Sequence, residues 1–162
     1  MGSDQAEDWP VTPIDEHDVK MLYDGMLAAW NGRDAAAMAA LFEPNGSVVG
    51  FDGSELSGSE AIGEEMARIF RDHQTGRYVG LVRDVRLLAD GAAMLRAVAG
   101  IVPHGQADLD PSLNSVQTLI AVKHHQGWRV ALYHNTPAAF HGRPEAVRAL
   151  TDELRQRLTA SG

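Results

Sequence analysis

His134 is the side chain that the pattern of residues best places for chemistry. Trp128, Val130 and Leu132 alternate along one face of a strand, and the same parity carries on to His134, close to Pro137, which stops the ladder. A strand end can present a side chain to a cavity without burying it fully. An imidazole titrates near neutral pH, so His134 is the candidate general acid or base. The competing assignment is an interior histidine held by hydrogen bonds. Asn135 has the opposite parity and cannot share the face of His134 unless the strand bulges. Strict alternation therefore gives His134 the interior and Asn135 an edge or an oligomer contact.

Other chemistries are excluded more simply. The chain has no cysteine, which removes disulfides, thiolate catalysis and cysteine metal sites. His124-His125 suggests a metal pair, but adjacent strand residues diverge and no third ligand stands at ligand spacing. No metal is expected. The glycines from Gly50 to Gly58 lack the long strand-turn-helix phosphate loop, and no GxSxG elbow is present. No cofactor is expected either.

At 162 residues the chain is one domain with tails, and its 44% hydrophobic and 22% charged content is that of an ordinary globular protein. The net charge of −8 argues against a nucleic-acid partner. Residues 1–10 lack the apolar core of a signal peptide, and no run approaches the ~18 apolar residues of a membrane span. The expectation is a cytoplasmic protein with no membrane partner.

The elements that must position His134 follow from periodicity. Thr12-Pro13 reads as an N-cap and first helical residue, followed by Val19, Leu22, Met26 and Trp30 at helical spacing and a stop at Gly32. Asp34 caps a short helix from Ala35 to Phe42, and Pro44-Asn45-Gly46 reads as a turn. A strand from Ser47 to Phe51 turns at Asp52-Gly53, and Ser59 caps a third helix with the stripe Ile62, Met66, Ile69, Phe70. From Tyr78 the period changes to two, with a hairpin at Asp90-Gly91 and a strand from Ala92 to Val102. After a polar connection, strands from Ser115 to His124 and from Trp128 to Thr136 follow, and a last helix begins at Pro144. The order α-α-β-β-α-β-β-β-β-α indicates an α+β fold with an antiparallel sheet.

Two stretches carry a family resemblance. One is the first helix with Trp30, followed by Asp34 and the Leu41-Phe42 … Gly46 entry into a strand. The other is Gly127-Trp128-Arg129-Val130 running into His134-Asn135-Thr136. With this element order they resemble the nuclear transport factor 2-like superfamily, and within it the SnoaL-like proteins of the SgcJ/EcaC type found beside polyketide and enediyne antibiotic pathways. The resemblance implies a cone-shaped curved antiparallel β-sheet wrapped by three helices, with an extra C-terminal helix. It divides the chain into a flexible N-terminal tail (1–13), the cone domain (14–137) and a C-terminal helix extension (138–162). It also implies a hydrophobic small-molecule ligand and a homodimer paired through the sheet face. The cone hosts unrelated activities, so the fold alone does not name one.

Departures from relatives narrow the chemistry. Set against the ketosteroid isomerases, Gly53-Ser54 puts their catalytic carboxylate at Gly50. Asp52 is nearby with the right parity, but it sits where aspartate favours a turn. The Asp-Arg-Asp set of limonene-epoxide hydrolases would need Arg96 with Asp84 and Asp90, which have no evident reason to converge.

Inside such a cone the candidates are few. His134 is the catalytic candidate, and Trp30, Arg96, His104, Asn114, Gln117 and Asn135 are the ligand-binding ones. Gln117 or Asn114 would steady an enolate or carbonyl oxygen. Trp30 is either core or an aromatic wall, and Arg96 either an interior anion anchor or an outward charge on a dimer face. His104 opens the Pro103 to Asn114 connection, either a lid or a plain surface loop. The implied activity is acid/base cyclisation, isomerisation or dehydration of a polyketide-like or aromatic intermediate. The alternative is a non-catalytic ligand-binding or assembly module.

Overall fold

The computed structural model describes residues 12–160. The tail expected over 1–13 lies outside them except for Thr12 and Pro13, which open the first helix. Thr12 caps α1 (Pro13–Asn31), its hydroxyl accepting from the Asp15 backbone N–H at 3.1 Å. Asp34 caps α2 (Ala35–Ala40), and α3 spans Ser59–Asp72. The strands are β1 (Phe42–Val49), β2 (Glu55–Ser57), β3 (Arg77–Ala89), β4 (Ala92–Val102), β5 (Ser115–His124) and β6 (Gly127–Pro137). The last helix, α4, spans Pro144–Ala160. Among the described residues no helix is long and apolar enough to cross a membrane.

The six strands form one curved sheet in the order β2-β1-β6-β5-β4-β3. The expected antiparallel meander holds from β3 to β6, while β1 lies beside β6 in parallel. That pairing is compatible with connectivity, since α3 and four strands separate β1 from β6 in the chain.

Pro44-Asn45-Gly46, expected as a turn, lies instead within β1. Phe42 pairs with Val130 and Ser47 with Leu132, so extra β1 residues bulge between these contacts. A Cβ on Gly46 would sit 2.8 Å from the Val130 carbonyl, and glycine lets the backbones approach there.

Two apolar cores flank the sheet. On the concave side α1, α2 and α3 supply Val19, Tyr23, Met26, Met38, Ile62 and Met66 against Leu95, Leu119 and Val130. On the other side Leu150 and Leu154 of α4 pack on Val79, Val98 and Val102, joined by Leu109 from the β4–β5 connection. The added C-terminal helix thus covers one end of the outer sheet face.

A single register change decides which side chains reach the concave side near the end of β6. Ile120 pairs with Leu132, but Ala121 pairs with Val130, leaving Ala131 as the bulged residue. Trp128 and Val130 face inward before the bulge, and Tyr133 and Asn135 take that face after it. His134 is thereby turned outward. The sequence pattern assumed an unbroken alternation, and the bulge reverses its assignment of His134 and Asn135.

Candidate functional site

Between α1, α2, α3 and the concave sheet lies a cavity of about 420 Å³. Its walls are largely apolar: Met26, Trp30, Met38, Phe42, Val48 and Met66 contribute. Such a wall with a few convergent polar groups is the usual form of a small-molecule site. Here those groups are Tyr78 from β3 and Tyr133 and Asn135 from β6.

The polar groups belong to a buried network. The Tyr23 hydroxyl of α1 donates to Gln117 Oε1 at 2.5 Å. Gln117 Nε2 reaches Asn135 Oδ1 at 3.4 Å and Ser115 Oγ at 3.5 Å, both long contacts. Asn135 Nδ2 donates to the Tyr78 hydroxyl oxygen at 3.2 Å. Tyr133 also bonds Tyr78. That contact works against burial at Tyr78 and with it at Tyr133. Burial raises all three phenols above their ordinary range, so they stay protonated at neutral pH. These are the only three tyrosines in the sequence.

Local structure makes the network possible. A Cβ on Gly80 would fall 2.6 Å from the Tyr23 hydroxyl and 2.6 Å from Leu27 Cδ1, so glycine opens the space through which α1 reaches the sheet. Trp30 fixes the opposite wall: its indole N–H donates to the Gly76 carbonyl at 2.9 Å. Its ring meets Phe70 and Tyr78 edge-on, with centroids 5.4 and 5.5 Å apart. Trp30 is both core and aromatic wall.

Ionised groups also line the cavity. Asp52 Oδ1 accepts from the Ser54 backbone N–H at 2.9 Å, and this bond holds its carboxyl below the usual range. Asp52 is thus a turn residue that also lines the cavity. Glu65 pairs with Arg68 one turn along α3, the Arg68 Nε lying 3.1 Å away, and that pairing lowers the Glu65 carboxyl.

The residues singled out from sequence divide as follows. Asn135 is 4% exposed and lines the cavity, whereas the alternation had placed it at an edge or oligomer contact. Gln117, 1% exposed, stands one bond behind it. His134 is exposed on the outer face, in a cross-strand row with Thr118 and Arg96. Arg96, exposed in that row, is an outward charge rather than an interior anchor. Asn114 is buried away from the cavity and donates to the Thr151 hydroxyl of α4 at 2.8 Å.

His104 is exposed in the β4–β5 connection, which packs towards α4 through Leu109 and an Asp108–Arg155 ion pair rather than over the mouth. His124 meets Glu43 at 2.6 Å, and among the described residues no group of three or more His, Asp or Glu side chains is placed to hold a metal. The three tyrosines were not anticipated. Their one sequence signal was the rarity of the residue type, which reveals nothing until the fold gathers them.

This architecture is that of an enclosed, helix-covered sheet with a ligand-sized hollow. A family model described as SnoaL-like domain matches residues 19–139, so the chain belongs to the SnoaL-like domain family. No curated protein matches the chain. Among solved structures it is similar to a cystatin-like-fold domain of unknown function from Nostoc punctiforme, with 24% identity, TM-score 0.74, and 90% of this chain and 97% of that chain covered. A candidate dehydratase of the nuclear transport factor 2-like family from Streptomyces avermitilis shares 19% identity, with TM-score 0.64 and coverage of 78% and 99%. A ketosteroid isomerase-like protein from Erwinia carotovora shares 15%, with TM-score 0.62 and coverage of 78% and 98%. At these identities the likeness speaks for the fold alone.

Proposed function

We infer that this protein binds a largely apolar, polyketide-like or aromatic small molecule in the concave cavity, as a ligand-holding member of a biosynthetic pathway. The observation that carries this reading is the joining of apolar walls to one neutral polar cluster, Tyr78, Tyr133 and Asn135, in a cavity of about 420 Å³. A neutral oxygen function on an apolar frame matches that lining. Asp52, Glu65 and Arg68 also line the cavity, but the cluster itself carries no charge, and an ionised ligand group buried against it alone would be costly. The imidazole expected to drive acid/base chemistry is outside the cavity, which favours binding over turnover.

A second reading keeps catalysis and is favoured by Asp52. Its carboxylate lines the same cavity and stays ionised, so it could take a proton next to a ligand carbonyl. Cyclisation, isomerisation or dehydration would then proceed with Asp52, not His134, as base.

Pairing into a homodimer and a cytoplasmic location belong to the same proposal. Met94, Ile120 and Leu132 form an apolar cross-strand row on the outer face, two rows from the Val98–Val116 row beneath α4.

The test is a titration of aromatic ketones and polyketide extracts, read first by thermal stabilisation and then by mass spectrometry. Stabilisation without conversion supports the binding reading. Conversion lost in Asp52→Asn supports the second. Absence of any stabilisation would remove both.

A further inference from the structure

A second hollow, of about 510 Å³, lies on the outer sheet face beside α4. Val98 and Val116 line it from the sheet, and Phe140, Ala146, Ala149 and Leu150 from the chain that follows β6. On α4, Leu150 packs down on the sheet, whereas Ala146 and Ala149 end at a methyl and leave the space open. Phe140 and His141 have φ of 50° and 56°, a left-handed conformation uncommon outside glycine. That turn sets the Phe140 ring against the hollow, and the Arg143 guanidinium stacks 6.0 Å from its centroid.

Four charged side chains line the same hollow, and two of them are already engaged. A bulge at Arg83 separates the pairs Val82–Ala97 and Asp84–Arg96, so Arg83 and Asp84 both line the hollow although they are adjacent in sequence. Arg83 bonds both carboxylate oxygens of Glu153 on α4, at 2.6 and 2.9 Å. Asp84 and Arg96 are directly opposed across β3 and β4, and both are exposed. Neither side chain has a hydrogen bond or ion pair with another described residue. Opposed residues of an antiparallel pair have Cα atoms about 4.5–5.5 Å apart. One cation and one anion therefore stand within reach of a single small molecule, beside an apolar floor.

We propose that this hollow binds an α-amino acid with an apolar or aromatic side chain. Its carboxylate meets Arg96, its ammonium meets Asp84, and its side chain lies on Val98, Val116 and Phe140. A zwitterion satisfies both unpaired groups, whereas a simple carboxylate would sit on Arg96 with the like charge of Asp84 beside it. The volume is that of an ordinary small-molecule site. The site does not depend on the concave cavity, which lies on the opposite face of the sheet.

The test titrates the isotope-labelled full chain with L-phenylalanine, 3-phenylpropionate and phenethylamine, read by amide chemical shifts. L-Phenylalanine should move the resonances of Val98, Val116 and Ala149 saturably. It should bind about threefold to tenfold more tightly than either analogue, the scale of one charge-assisted contact at an exposed position. Arg96→Gln should reduce L-phenylalanine to the affinity of phenethylamine, and Asp84→Asn to that of 3-phenylpropionate. Ala149→Leu, at an exposed helical position, should fill the hollow and abolish binding of all three.

Equal affinity of the wild type for the three probes would overturn the inference, and is expected if Asp84 and Arg96 neutralise each other in solution. Folded Arg96→Gln and Asp84→Asn variants that bind L-phenylalanine as the wild type does would overturn it too. So would the absence of saturable shifts, or shifts confined to concave residues such as Met26 and Tyr133. None of these results bears on the ligand reading of the concave cavity, which the ketone titration tests separately.

Discussion

Tyr23 and Gln117 stand 94 positions apart in the chain, yet the phenol hydroxyl of one lies 2.5 Å from the side-chain carbonyl of the other. The contact joins α1 to the middle of the sheet behind the cavity, and both residues are buried. Tyr23→Phe would leave the Gln117 carbonyl without its donor. The expected loss of stability is about 1–3 kcal/mol, measured by urea unfolding. Gly80→Ala should cost a comparable amount, because the added methyl meets the Tyr23 hydroxyl and Leu27 at 2.6 Å. A variant at either position as stable as the wild type would show that this contact does not hold α1 on the sheet.

Alkaline unfolding should report the same cluster. Burial raises Tyr23, Tyr78 and Tyr133 above the ordinary value of 10.0, so the folded state keeps protons that the unfolded chain gives up. Their contribution to stability is fully present below the unfolded value. It falls as the pH rises through the raised values of the folded state, by about 1.4 kcal/mol per pH unit for each tyrosine. Because the chain has no other tyrosine, tyrosinate absorbance should appear in one step together with unfolding. Ionisation well before the loss of helical circular dichroism would contradict the burial.

His134 and Asn135 give a paired test of the bulge. His134→Ala, on the exposed outer face, should change stability by no more than about 0.5 kcal/mol and leave aromatic-ketone affinity unchanged. Asn135→Leu removes the donor to Tyr78 and the acceptor of Gln117 and should weaken ketone affinity severalfold. The reverse pattern in fluorescence titrations would return the imidazole to the interior.

The added helix should prove integral to the fold although it lies beyond the family-matched residues. Leu154 is 0% exposed, and its Cδ1 lies 3.1 Å from where a Cβ on Gly100 would fall. Leu154→Ala should cost about 2–5 kcal/mol by thermal or urea unfolding. A cost near zero would mean that α4 only rests against the sheet.

Much of this protein is determined locally and can be read residue by residue. Thr12-Pro13 begins a helix because a hydroxyl can cap it and proline needs no N–H there. The Asp90-Gly91 hairpin, the strands on either side of it and the amphipathic α4 follow from turn chemistry and apolar period. The helical spacing of Val19, Leu22, Met26 and Trp30 likewise places Trp30 against the core. The identity of the cavity-facing side chain at the end of β6 was not. One unpaired residue, Ala131, reverses the parity of all that follows it. The bulge arises in the pairing of β6 with β5, and no single-strand pattern records it. Convergence of the three tyrosines is likewise a property of packing, since residues 23, 78 and 133 meet only when α1 lies across the sheet and Gly80 leaves room for a hydroxyl.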